Sequence, residues 1–245
     1  MAISKVVIPA AGQGTRMKHL SKNKPKQLIC VKQKPFLAYL FDNLLKAGFK
    51  EFILVTGFRS DLMEDFLKKY GYKATIVNQF EILGPKEKEY GTLCPIKCVK
   101  DIIGKENFLV VYGDNLYSVE DLKEFQANDK FCYIAARVEK EHPEKYGVLK
   151  EKYGFLEKII EKPKEFVGNL VNTGMYKLTS EVFDKIPQVK LSPRGEYELT
   201  DAITLLAGDG KVKVKVIKDY WMDFGNPGDI IKMNDFLDKR KKHNR

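Results

Sequence analysis

The chain has 245 residues, 44% apolar and 11% aromatic, which is enough to bury one substantial core. Lys and Arg outnumber Asp and Glu by 43 to 33, a formal charge of +10 that suits an anionic partner, but the positives are interleaved with acids throughout. No stretch alternates basic with aromatic residues as a nucleic-acid surface does, and no apolar run reaches the length of a membrane span.

In chain order, Val6, Val7 and Ile8 before Pro9 read as a short buried strand. The small-residue loop Ala10-Ala11-Gly12-Gln13-Gly14 follows, then the cations Arg16, Lys18, Lys22, Lys24 and Lys26. A side-chain-poor loop after a strand lets backbone N–H groups approach an anion, and Arg and Lys beyond it neutralise phosphate charge. The pattern points to a nucleoside triphosphate. Met17 stands five positions after Gly12, where both the P-loop and the dinucleotide fingerprint need glycine, so neither applies.

Residues 35–47 have helical apolar spacing, with Pro35 as the expected first helical residue and Gly48 as the stop. A strand over 51–56, a helix over 60–70 and a strand over 73–78 continue an alternation that argues for a parallel sheet wrapped by helices. Residues 79–98 read as a long loop leading to a helix from Leu93. Asn107–Tyr112 reads as a central strand and ends at Gly113-Asp114-Asn115. A carboxylate there lies where open α/β sheets hold their ligands. Ser118 and Asp121 form a capping pair for the next helix.

Beyond residue 130 strands are expected over 131–138, 146–149, 155–161, 171–178 and 211–218, with helices near 180–186 and 196–207. The alternation Lys-Val-Lys-Val-Lys-Val in the last strand puts its lysines on a solvent face. Asn226 as N-cap and Pro227 as first helical residue open a terminal helix to about Lys241, and the basic run at 239–242 is its solvated end. The expected fold is α/β: a Rossmann-like, mostly parallel central sheet flanked by helices, with additional antiparallel strands in the second half. The chain reads as one domain, residues 1–130 forming one half and 131–245 the other. Four cysteines, of which only Cys94 and Cys98 are closely spaced, complete no zinc pattern with a nearby His. Free thiols and no apolar leader lead us to expect a cytoplasmic protein.

Gly12-Gln13-Gly14-Thr15-Arg16-Met17, with Pro25-Lys26-Gln27-Leu28 and then Lys34-Pro35, resembles the signature of the sugar-phosphate nucleotidylyltransferases. Ala11 stands where many members have Gly, and His19 where many have Pro. The resemblance implies transfer of a nucleotidyl group from a nucleoside triphosphate to a sugar 1-phosphate, with release of pyrophosphate. It implies Mg2+ held by Asp114 and by Asp223 of Trp221-Met222-Asp223-Phe224-Gly225. Ala10, Ala11, Gly12, Gly14, Thr15, Arg16, Lys26 and Asp114 would then surround the triphosphate, with Gln79, Gly91 and Thr92 at the base. Gly147, Glu161, Lys162, Asn172, Thr173, Gly174 and Trp221 would hold the sugar phosphate, and Arg16, Lys26, Asp114, Lys162 and Asp223 would form the catalytic set.

Within that resemblance Gly113-Asp114-Asn115 and Gln79 favour dTTP or UTP, with glucose 1-phosphate as partner. Gly57-Phe58-Arg59 keeps a cytidylyltransferase acting on a sugar or choline-type phosphate as the alternative. A basic nucleic-acid-binding module is the reading from another class. Neither nucleic acid nor membrane is expected as a partner, and homo-oligomerisation is left open.

Overall fold

A strand covered by helices on both faces must be apolar on both, and β1 (Lys5–Pro9) meets that requirement. Val6 and Ile8 pack into one core and Val7 into another on the opposite side of the sheet. In the computed structural model, which describes residues 2–85 and 89–243, the first half continues through the small ribbon of β2 (Cys30–Val31) and β3 (Lys34–Pro35), α1 (Phe36–Ala47), β4 (Glu51–Thr56), α2 (Ser60–Tyr70) and β5 (Thr75–Asn78). Three short helices, α3 (Gln79–Leu83), α4 (Cys94–Lys97) and α5 (Lys100–Ile103), precede β6 (Phe108–Val111), β7 (Asn115–Tyr117) and α6 (Val119–Glu124). The second half runs β8 (Cys132–Val138), β9 (Gly147–Lys152), β10 (Phe155–Glu161), β11 (Leu170–Leu178), α7 (Val182–Lys185), α8 (Leu199–Gly208), β12 (Val212–Val216), β13 (Trp221–Asp223) and α9 (Gly228–His243).

Among the described residues nine strands form one sheet in the order β5-β4-β1-β6-β11-β8-β12-β10-β9. The first three junctions are parallel. Beyond β6 the sheet carries the antiparallel strands expected of the second half, in a larger share than a mostly parallel sheet implies. There β11 runs antiparallel between β6 and β8, and β10 is antiparallel to both β9 and β12; only β8–β12 is parallel. The reason is local at β9–β10, where Tyr153 and Gly154, both at positive φ, form a two-residue hairpin turn of the kind that reverses a strand directly. β9 also touches β11 at Val171 and Val148, so the second half closes back on itself.

Most expected elements are present with small shifts. Pro35 ends β3 with extended backbone, and α1 starts one residue later. Gly48, at φ 99°, stops α1 as expected. Ser118 caps α6 by accepting the Asp121 N–H. Gln79 opens a helix instead of a loop, because Asn78 caps it through the Phe80 N–H. α9 begins at Gly228, whose N–H donates to Asn226 Oδ1, while the Asp229 carboxylate takes the N–H groups of Gly225 and Asn226. The lysines of β12 do not form a bare solvent face. Lys213 lies 3.9 Å from the Phe131 ring centroid and Lys215 lies 4.5 Å from that of Tyr133, because β12 sits inside the sheet beside aromatic neighbours. No helix among the described residues is long and apolar enough to cross a membrane.

Candidate active site

The loop after β1 is pinned from two sides. Ala10 N–H donates to Val55 O at 2.8 Å and Gly113 N–H donates to Pro9 O at 2.9 Å, which sets the ends of β1, β4 and β6 around one mouth. Gly14 has a left-handed backbone (φ 66°), and a Cβ there would lie 2.8 Å from Lys26 Cβ. Gly14 therefore serves the cleft from below by letting the Lys26 side chain pass. Lys26, only 8% exposed, reaches Asp114 and pairs with it.

Asp114 and Asp223 meet through a short antiparallel ribbon. β7 and β13 pair Tyr117 with Trp221, Leu116 with Met222 and Asn115 with Asp223. Phe224 N–H donates to Asp114 O at 2.8 Å. Trp221 Nε1–H donates to Asn115 Oδ1 at 2.6 Å, and Asn115 Nδ2–H donates to Asp114 Oδ1 at 3.1 Å. Burial, and then the neighbouring Asp114, push the Asp223 carboxyl up to about 6, although Lys26 and Arg16 pull it down. A carboxylate raised in this way is one for which loss of water outweighs the cations beside it. Among the described residues no group of three or more His, Cys, Asp or Glu forms a metal cage. Two carboxylates beside a side-chain-poor loop, Arg16 and Lys26 are a donor set that could hold Mg2+, which takes one or two carboxylates and completes its shell with phosphate oxygens and water.

The sugar side expected from the sequence is assembled by three strands. Gly147 on β9 lies opposite Glu161 on β10, and a Cβ on Gly147 would lie 2.9 Å from Glu161 Oε2. Lys162 has positive φ, and its N–H donates to Tyr146 O at 3.1 Å. An irregularity in β11 turns Asn172 so that its Oδ1 accepts the Gly174 N–H at 3.0 Å and its Nδ2–H donates to the Tyr176 hydroxyl at 2.6 Å. The Thr173 hydroxyl donates to Ala135 O at 3.2 Å, so that side chain is committed internally. Burial raises the Glu161 carboxyl, with Lys162 opposing.

Both sides face one cavity of about 620 Å³, a volume suited to a small-molecule ligand. Every residue expected at the site except Gly14 lines it, from Ala10 through Asp223. The side-chain oxygens of Gln27 and Gln79, two residues that line the cavity, are buried with no hydrogen-bond partner among the described residues. Sequence reasoning missed Asn115, Tyr112, Tyr176, Arg194, Glu196 and Glu198, which also line the cavity. Charges at alternate positions in Arg194-Gly195-Glu196-Tyr197-Glu198 were the available signal for the last three.

The family model described as "Nucleotidyl transferase" matches residues 5–240. The chain belongs to the nucleotidyl transferase family. The chain is 32% identical over 231 residues to the UTP–glucose-1-phosphate uridylyltransferase AglF of Haloferax volcanii, covering 91% of this chain and 92% of that protein. It is 34% identical over 232 residues to a bifunctional sugar-1-phosphate nucleotidylyltransferase/acetyltransferase of Sulfurisphaera tokodaii, covering 94% of this chain and 54% of that protein. Against such bifunctional relatives it spans about half the length. A solved UDP-glucose pyrophosphorylase in complex with UDP-glucose has the same mixed α/β fold, with a TM-score of 0.84, 24% identity, and coverage of 97% of this chain and 99% of that one.

Proposed function

We propose that this nucleotidyl transferase is a magnesium-dependent sugar-1-phosphate nucleotidyltransferase, using UTP or dTTP with glucose 1-phosphate. One observation carries the reading. The loop after β1, with Arg16 and Lys26, and the pair Glu161-Lys162 open onto one cavity that Asp114 and Asp223 also line. The likeness to AglF over nearly the full length of both chains supports the choice of substrates.

The attacking sugar-phosphate oxygen is already ionised, so the reaction needs no strong base. Its obstacle is the repulsion between two anions, and the site answers with charge neutralisation and in-line positioning. Arg16 and Lys26 hold the triphosphate and take up charge that develops on the departing pyrophosphate. Lys162 holds the incoming phosphate. Glu161 accepts sugar hydroxyl hydrogens, and Asn172 and the backbone at Gly147 complete that wall. Gln79 and Gly91, which line the same cavity, receive the base. Asp114 and Asp223 would hold Mg2+, which supplies Lewis-acid neutralisation of phosphate oxygens when bound.

The test is pyrophosphate release with Mg2+ and glucose 1-phosphate, offering UTP, dTTP, CTP, ATP and GTP in parallel. Release with UTP or dTTP that depends on the sugar phosphate is the expected result. Release with CTP alone would favour the cytidylyl alternative. No release with any triphosphate, across glucose, mannose and N-acetylglucosamine 1-phosphates, would refute the assignment.

A further inference from the structure

The two halves of the cleft meet a second time, away from the carboxylates. Residues 90–93 run beside residues 197–199 at the rim. Tyr197 N–H donates to Tyr90 O at 2.8 Å, and Leu93 N–H donates to Tyr197 O at 3.0 Å. A Cβ on Gly91 would lie 2.1 Å from Tyr197 O, so the two segments touch backbone to backbone.

Thr92 completes this contact. Its hydroxyl oxygen accepts the Leu199 N–H at 2.9 Å, and its O–H donates to Glu198 Oε2 at 3.1 Å. Glu198 is 4% exposed. Its other oxygen lies 3.2 Å from Arg194 NH1, and that guanidinium reaches Glu161 Oε1 at 3.3 Å and Glu196 Oε2 at 3.4 Å. Ser192 Oγ stands 3.4 Å from Glu198 Oε1. An unbroken polar chain therefore runs from the loop assigned to the base, through Thr92, Glu198 and Arg194, to the carboxylate assigned to the sugar.

We infer that Thr92 is a positioning residue, its hydroxyl bonded to Glu198 and Leu199, that couples occupancy of the sugar-phosphate half to affinity in the nucleotide half. This inference rests on the substrate assignment above. A sugar hydroxyl on Glu161, or a phosphate near Arg194, changes what Arg194 offers to Glu198. A buried carboxylate does not tolerate a lost partner, so Glu198 rebalances on Thr92, whose neighbour Gly91 faces the nucleotide. The ligand that arrives second then meets a rim already ordered by the first.

The pyrophosphate assay on the unmodified enzyme is run first and decides the transferase reading alone. Coupling is then read by calorimetry as the affinity of the α,β-methylene analogue of the productive triphosphate, with and without saturating sugar phosphate. The unmodified enzyme is expected to bind the analogue at least about fivefold more tightly with sugar phosphate present, the lower end of ordinary coupling. Thr92→Val keeps the side-chain shape and removes the hydroxyl, and the ratio should fall to within about twofold of unity. Thr92→Ser restores the hydroxyl and should restore the ratio. Glu198→Gln, with Thr92 intact, weakens the link to Arg194 and should lower the ratio as well. A ratio near one in the unmodified enzyme, an undiminished ratio in Thr92→Val or Glu198→Gln, or failure of Thr92→Ser to restore it would each overturn the inference. Urea unfolding of every variant confirms that the folded protein is being measured.

Discussion

Replacing Gly91 with Ala adds one methyl group where the chain leaves no room. The new Cβ would stand 2.1 Å from Tyr197 O and 2.5 Å from Tyr197 N, on a backbone at φ +140°. A carbon–oxygen contact settles above about 3 Å, so the segments must part by about 1 Å. That movement breaks the hydrogen bonds from Leu93 and Tyr197, at 3.0 and 2.8 Å. Each contributes about 1 kcal/mol, and the glycine-only backbone adds about 1–3 kcal/mol of strain, a total of about 3–5 kcal/mol with the rim closed. The rim can also detach, so the loss in urea unfolding has that total as its ceiling. The remainder then appears as a weaker nucleotide site, with 3 kcal/mol corresponding to about 100-fold in KM. Gly12→Ala is the internal control: its Cβ meets nothing within 4 Å, so stability should stay within about 0.5 kcal/mol while the approach of phosphate suffers. The reasoning is refuted if Gly91→Ala unfolds at the wild-type urea concentration with nucleotide KM within about twofold, or if Gly12→Ala loses as much stability.

Three further outcomes are expected. Asp223→Asn should abolish turnover and, in chelator, stabilise the protein at pH 8. The buried carboxyl is raised from 3.8 to about 6, so its penalty is absent below the first value and complete above the second, approaching about 3 kcal/mol; a gain as large at pH 3 as at pH 8 would contradict this origin. The sugar-phosphate KM should rise on acidification at a higher pH than an ordinary carboxylate would give, because burial raises Glu161. Glu161→Gln should lose that component, and any slope common to both enzymes belongs to the phosphate. Trp221→Phe keeps the ring against Tyr146 but removes the donor to Asn115 Oδ1, so kcat should fall about tenfold with about 1–3 kcal/mol of stability; an unchanged kcat would show that Asn115 does not position Asp114.

What the sequence revealed follows the range of its signals. Val6-Val7-Ile8 and Phe108–Val111 were legible because strands buried on both faces are apolar without interruption. Asp114 and Asp223 stood out because each lies in a compact motif. Antiparallel strands were expected in the second half, but their share and order were not legible, because strand direction depends on connections and Tyr153-Gly154 carries little of the usual hairpin chemistry at its first position. The lysines of β12 were misjudged because their periodicity says nothing about Phe131 and Tyr133 alongside. Thr92 looked like part of a base-binding pair. Its hydroxyl partner, Glu198, lies 106 positions further on, beyond any local pattern.

The β7–β13 ribbon bears on how the site can be lost. β13 is not a strand of the nine-stranded sheet; it pairs with β7. A local opening of that ribbon would part Asp223 from Asp114 while every ladder of the large sheet stays closed. The two acids can therefore be separated at a cost below that of unfolding the protein.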